Sequence, residues 1–128
     1  MEKDYENWCK LKSKIDLHKK RPIFFEREIW WCNLGVNIGF EQDGKGKESA
    51  RPILVCKKRN AKLLLVVPLS SKIKEDNPYY HKFTLNGVEQ SAIIHQIKTI
   101  DSKRLLKKIA RLSEKQFYEI IGKIKESL

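Results

Sequence analysis

The sequence predicts an α+β fold, with helices packed on a small barrel or strongly bent sheet of five to six short strands. Three observations predict it. Apolar residues recur at helical spacing only toward the two ends of the chain. Between those ends lie short β-branched and aromatic runs, broken by turn-forming residues. With 128 residues, 41% of them hydrophobic and 34% charged, the chain can build one core under a heavily charged surface.

The elements follow in order. Residues 3–19 read as an amphipathic helix, with Tyr5, Trp8, Leu11 and Ile15 near one face, ended by Arg21-Pro22. Residues 28–32 read as an aromatic-rich strand. Residues 52–58 and 62–69 read as two more, joined by the polar turn Arg59-Asn60-Ala61. Residues 79–85 and 88–94 flank Asn86-Gly87, a two-residue hairpin turn that suits positive φ at both positions. Asp101 is placed to cap a helix carrying Leu105, Leu106, Ile109 and Leu112. Ser113 opens another, with Gln116 three residues on as a capping box and Phe117, Ile120, Ile121 and Ile124 as its apolar stripe. The expected organisation is one domain over 1–128: a helical extension at 1–25, a barrel at 26–100, and two helices at 101–128.

Lys and Arg number 27 against 16 Asp and Glu, a net charge of +11. Such a balance favours a polyanionic partner. The excess is spread along the chain rather than gathered in a tail, so the fold itself carries it. Cys9, Cys32 and Cys56 are odd in number and hold no C-x-x-C spacing, which disfavours a disulfide framework or zinc ribbon and fits a reducing cytoplasm. The longest uncharged apolar run, Leu63 to Leu69, contains Pro68 and is too short to cross a bilayer; the first residues lack a signal-peptide layout. No membrane association is expected. The stretch between Leu34 and Arg51 holds Gly35, Gly39, Gly44 and Gly46, which suits a mobile loop or close backbone approach to a ligand. Lys45 is followed by Gly46 rather than Ser or Thr, so a Walker phosphate loop is excluded.

Four segments in order resemble the MazF/PemK family of toxins. They are Arg27-Glu28-Ile29-Trp30 with Leu34-Gly35; Glu41-Gln42 with Arg51-Pro52-Ile53-Leu54-Val55; Val67-Pro68-Leu69-Ser70-Ser71-Lys72; and Ser91 through Asp101. The resemblance implies an SH3-like barrel decorated by helices and usually dimeric. It implies a ribosome-independent endoribonuclease that cuts single-stranded RNA, mRNA included, at a specific sequence, without metal or cofactor. An acidic antitoxin protein would inhibit it. The chain departs from the family pattern in a longer loop before Arg51, in His95 where an acidic residue is frequent, and in Lys98 where Arg is common. A non-catalytic nucleic-acid-binding barrel and a DNA-gyrase poison of the same fold are the alternatives.

Metal-independent RNA cleavage must remove a proton from the 2′-hydroxyl, stabilise charge on the phosphoryl oxygens, and protonate the leaving 5′-oxygen. Arg51 is the expected charge stabiliser, because a guanidinium forks onto phosphate oxygens and stays charged. Ser70 is the expected hydroxyl donor to phosphate. Gln96 is expected to orient the phosphate or read a base, and Glu41 to hold Arg51 or accept the 2′-proton. Ser71, Lys72, Gln42, Lys45 and Lys98 are expected RNA contacts. Trp30, Trp31, Tyr79, Tyr80 and Phe83 are candidate stacking residues. Adjacent Trp30 and Trp31 must face opposite sides of a strand, one of them toward the core. His18, His81 and His95 are candidate proton carriers. If 88–94 continues as a strand, His95 and Gln96 also face opposite ways, which keeps His95 out of the site. No His/Cys/Asp cluster has metal-ligand spacing.

Overall fold

Residues 21–34 and 50–128 are described by the structure, a computed structural model. Seven strands and one helix follow in order: β1 (Glu28–Asn33), β2 (Ala50–Lys58), β3 (Leu63–Ser70), β4 (Tyr80–Leu85), β5 (Val88–Ile93), β6 (Lys98–Asp101), β7 (Leu105–Arg111) and α1 (Glu114–Ser127). Single 3-10 turns cover Ile94–Gln96 and Ser102–Arg104. The expected helix at 3–19 and the glycine-rich stretch at 35–49 lie outside the described residues.

β2 shows how one strand serves two cores. Ile53 and Val55 face a cluster that includes Trp30, Cys32, Leu64, Val66, Ile100 and Leu105. Leu54 and Cys56 alternate with them and face a second cluster with Val67, Leu69, Phe83, Ala92, Phe117, Ile120 and Ile124. Period-two alternation sends neighbours to opposite faces. Because both faces are covered, the strand reads as a continuous apolar run rather than an alternating one. The two cysteines in these cores are free, and burial pushes both thiols up to about 12. They are packing residues in the protonated form.

All pairings are antiparallel, in the order β4-β5-β3-β2-β1-β7, with β6 also on β3. β3 changes partner along its length. It pairs β6 from Leu63 to Val66 and β5 at Leu69 and Ser70. Pro68 falls in the gap, where its missing N–H costs no ladder bond on that side. The path β6-β3-β2-β1-β7 must curl. Laid flat, its end strands would stand roughly 19 Å apart at about 4.8 Å per gap. Yet Asp101 ends β6 and Leu105 begins β7, and four residues reach at most about 14 Å.

Two expectations about local structure hold in detail. Asn86 and Gly87 adopt φ of 51° and 79°, the pair of positive values that a tight hairpin needs. Ser113 caps α1, its hydroxyl accepting from the Gln116 N–H at 3.3 Å. The return half of the capping box goes elsewhere: the Gln116 side-chain oxygen Oε1 accepts from the Thr84 N–H at 2.8 Å and ties the helix to β4.

Three expectations are corrected. The described residues hold seven strands, not five or six. Residues 105–111 form β7, not a helix. Their apolar spacing suits an amphipathic helix, but β1 is paired on its other side only by β2, and β7 covers that open edge with two register shifts. Sheet completion overrides local pattern. Asp101 does cap, but only a single 3-10 turn: its carboxylate accepts from the Lys103 N–H. Finally, 94–96 is a 3-10 turn, so strand alternation does not govern His95 and Gln96.

Candidate active site

The β2–β3 ribbon ends in a cleft of about 640 Å³, lined by Trp31, Ala50, Arg51, Pro52, Leu69, Ser70, Ser71, Lys72, Tyr80, Val88 and Gln90. Strand β1, the ends of β2 and β3, and the β4–β5 hairpin supply its walls.

Arg51 is 6% exposed, yet it lines this cleft. Its Nη1 donates to the Leu69 carbonyl at 3.0 Å. The preceding register explains why. Ile53 pairs with Pro68, so one further step sets Pro52 opposite Leu69. Proline has no N–H to give that carbonyl. The neighbouring guanidinium supplies a donor instead, which fixes Arg51 at the strand end. A charge held by backbone in a partly dry site acts more strongly on an arriving anion than one on a free surface chain.

Ser70 sits at the last position of β3, opposite Ser91 of β5. Its hydroxyl oxygen accepts from the Lys72 N–H at 3.1 Å, so the turn after β3 orients it. The hydroxyl keeps its own proton to donate. Ser71 and Lys72 follow on exposed positions of the same lip. Arg51, Ser70, Ser71 and Lys72 are thus brought together. A guanidinium and a hydroxyl held by backbone groups, with the Lys72 ammonium beside them, can hold a phosphodiester.

Gln96 and Lys98 do not join the cleft lining. Gln96 closes the 3-10 turn after β5, and Lys98 begins β6 opposite Val66. Glu41, Gln42 and Lys45 lie outside the described residues. His95 is exposed and its ring meets that of Tyr79, with centroids 4.8 Å apart. Trp30 and Phe83 are core residues and leave the set of candidate stacking residues. Trp31, 41% exposed, faces the cleft, so the division of the two tryptophans between core and surface holds. His81, on β4, is half-buried; burial and Lys123 hold its imidazole below the usual range, against a smaller opposing pull from Glu119. Among the described residues, no group of three or more His, Cys, Asp or Glu is placed to hold a metal ion. None of their helices is long and apolar enough to cross a membrane.

Sequence reasoning did not single out Val88 or Gln90 for the site. Both stand on one face of β5 by alternation, but only the folding of the hairpin over the β2–β3 ribbon brings that face to Arg51.

The fold and the cleft define a class: small, basic, curled-sheet proteins with a cleft at the ends of two central strands. The family follows from comparison. Residues 26–128 match the model of the PemK-like, MazF-like toxins of type II toxin–antitoxin systems, and the chain belongs to that family. No curated protein sequence matches the chain. Among solved structures, it is similar to MazF from Deinococcus radiodurans, with 22% identity, a TM-score of 0.65, and coverage of 85% of this chain and 97% of that one. It is also similar to an endoribonuclease from a Mycobacterial species solved with its cognate antitoxin, at 14% identity and a TM-score of 0.62, covering 82% and 94%. A third is the Mycobacterium tuberculosis toxin MazF-mt6, at 16% identity and a TM-score of 0.58, covering 79% and 95%. At these identities the likeness is one of fold.

Proposed function

We propose that this toxin is a sequence-specific endoribonuclease that cleaves single-stranded RNA, mRNA included, without a metal ion. The observation that carries the reading is Arg51: a backbone-held guanidinium that opens onto a cleft beside the Ser70 hydroxyl, in a chain of the MazF-like toxin family. The scissile phosphate sits between them. The 2′-hydroxyl attacks phosphorus, Arg51 takes the charge that grows on the phosphoryl oxygens, and Ser70 donates a hydrogen bond to one of them; the P–O5′ bond breaks and the 5′-oxygen leaves with a proton from water. Glu41 receives the 2′-proton or holds Arg51. Ser71 and Lys72 guide the backbone at the lip, joined by Gln42 and Lys45. Gln96 and Lys98, away from the cleft lining, contact RNA farther along the strand. The products are a 2′,3′-cyclic phosphate and a 5′-hydroxyl.

The curled path of β6, β3, β2, β1 and β7 is the SH3-like barrel, in one domain with α1. The protein works in the cytoplasm as a homodimer. A separate acidic antitoxin, attracted by the net charge of +11, occupies the basic cleft and blocks it; two of the similar structures are described as complexes with an antitoxin or MazE. The test is incubation with a defined RNA in EDTA, followed by end mapping. Cleavage at one short sequence with cyclic-phosphate ends is expected. Binding without cleavage would reduce the protein to a nucleic-acid-binding module. Light scattering at micromolar concentration should give about twice the chain mass.

A further inference from the structure

We propose that Trp31 and Gln90 form a nucleobase subsite that takes one unpaired base next to the phosphate held by Arg51 and Ser70. The inference rests on the endoribonuclease reading and goes beyond it by naming where sequence is read.

Trp31 lies in a strand paired on both sides, yet its side chain is 41% exposed. It pairs across the sheet with Pro52, whose alternation sets both side chains on the cleft face. An indole left half in water is an open stacking surface.

Two other aromatics at or near the cleft, Tyr80 and Tyr79, are already engaged. Lys74 Nζ stands 4.6 Å from the centroid of the Tyr80 ring, and Tyr79 meets His95. Among the described residues, neither a cation nor a second ring covers Trp31. A cleft of about 640 Å³ falls within the roughly 300–1,000 Å³ of sites that bury small organic ligands. It has room for a base beside the phosphate.

The facing wall explains selectivity. Val88 and Gln90 share one face of β5. Gln90 is half-buried, and its side-chain amide offers an acceptor and two donors. A base stacked on Trp31 turns its hydrogen-bonding edge toward that amide, while Val88 excludes water above it. The indole supplies affinity for any base, and Gln90 chooses among them.

The test uses the full chain and RNA oligonucleotides with 2-aminopurine at successive positions. A 2′-deoxy nucleotide at the mapped cut blocks cleavage. Fluorescence should be quenched at one position only. Trp31→Ala should abolish that quenching and weaken binding by roughly 5- to 100-fold, and Trp31→Phe should restore most of the binding. Gln90→Ala should keep the quenching and broaden base choice at one position in cleavage-site sequencing. Undiminished binding by folded Trp31→Ala overturns the subsite while leaving the ribonuclease reading in place. A halved mass of Trp31→Ala in light scattering also overturns it, because Trp31 would then join two copies. If the wild type binds RNA and never cuts it, the ribonuclease reading fails alone, and quenching on unmodified RNA still decides the subsite.

Discussion

Glu28 and Arg51 are the two buried charged residues among those described, 4% and 6% exposed. They lie at opposite ends of the β1–β2 ribbon and do different work. Glu28 is enclosed by its own partners. Its Oε1 accepts from the Phe25 N–H at 2.8 Å and the Trp30 indole at 3.1 Å, and its Oε2 meets Lys108 Nζ at 2.8 Å. Burial alone would raise this carboxyl, but Lys108, Phe25 and Trp30 outweigh it and hold the group below the usual range. Arg51 donates from Nη1 to the Leu69 carbonyl and lines a cleft. A buried charge surrounded by its own fold is a structural bolt. A buried charge that lines a cleft stands where a ligand can reach it.

The largest expected effect is on Arg51. Arg51→Ala should lower the single-turnover cleavage rate at least 100-fold, as loss of a transition-state charge partner does, in protein that is still folded. Near-normal cleavage by a folded variant would break the contrast.

Glu28→Ala should show the reverse. Stability should fall by about 2–3 kcal/mol in urea titration, while the fraction still folded cleaves at the normal rate. The pH dependence has a definite sign. Because the folded carboxyl lies below its ordinary value of 4.5, its contribution is complete above that value and is lost as pH falls through the lower, folded one. Wild-type stability should therefore drop on acidification below about pH 5, and Glu28→Ala should flatten that drop. An unchanged acid limb would remove Glu28 from its structural role.

Ser70→Ala should slow cleavage by roughly 10-fold, the scale of one neutral hydrogen bond that strengthens in the transition state. No change in rate would leave Arg51 acting alone on the phosphate. The smallest effect belongs to His95. Exposed beside Tyr79 and outside the cleft lining, it should be replaceable by Gln with an intact pH–rate profile. A lost ionisation step in the folded variant would bring it into the chemistry.

Much of the fold is legible in the sequence. The strands at 28–33, 50–58 and 63–70, the Asn86-Gly87 hairpin and the Ser113 cap all follow from local pattern, because turn geometry and capping are decided within a few residues. What fails is what distant partners decide. Leu105, Leu106, Ile109 and Leu112 fit a helix by spacing, and only the open edge of β1 makes 105–111 a strand. His95 and Gln96 continue a strand by pattern, and a 3-10 turn takes their place. Arg51 and Ser70 are singled out in the sequence by the family resemblance, and the register of adjacent strands brings 51 and 70 to one end. Gln90 is not, since its place in the cleft depends on how a hairpin folds over that ribbon.

The pairing of β1 with β7 also sets a clock. Trp31 lies opposite Lys107, so the cleft wall it supplies is finished by a strand made about eighty residues later. Such distant pairings form slowly, since a long loop must close before contacts repay it. Arg51 and Ser70 leave the ribosome first and wait, at roughly 5–20 residues per second, for the strand that completes the sheet. A chain that stops short of β7 lacks the partner that completes the sheet beside Trp31. Arrested nascent chains that stop before residue 105 should bind and cut RNA no better than Arg51→Ala, and release of the completed chain should switch activity on.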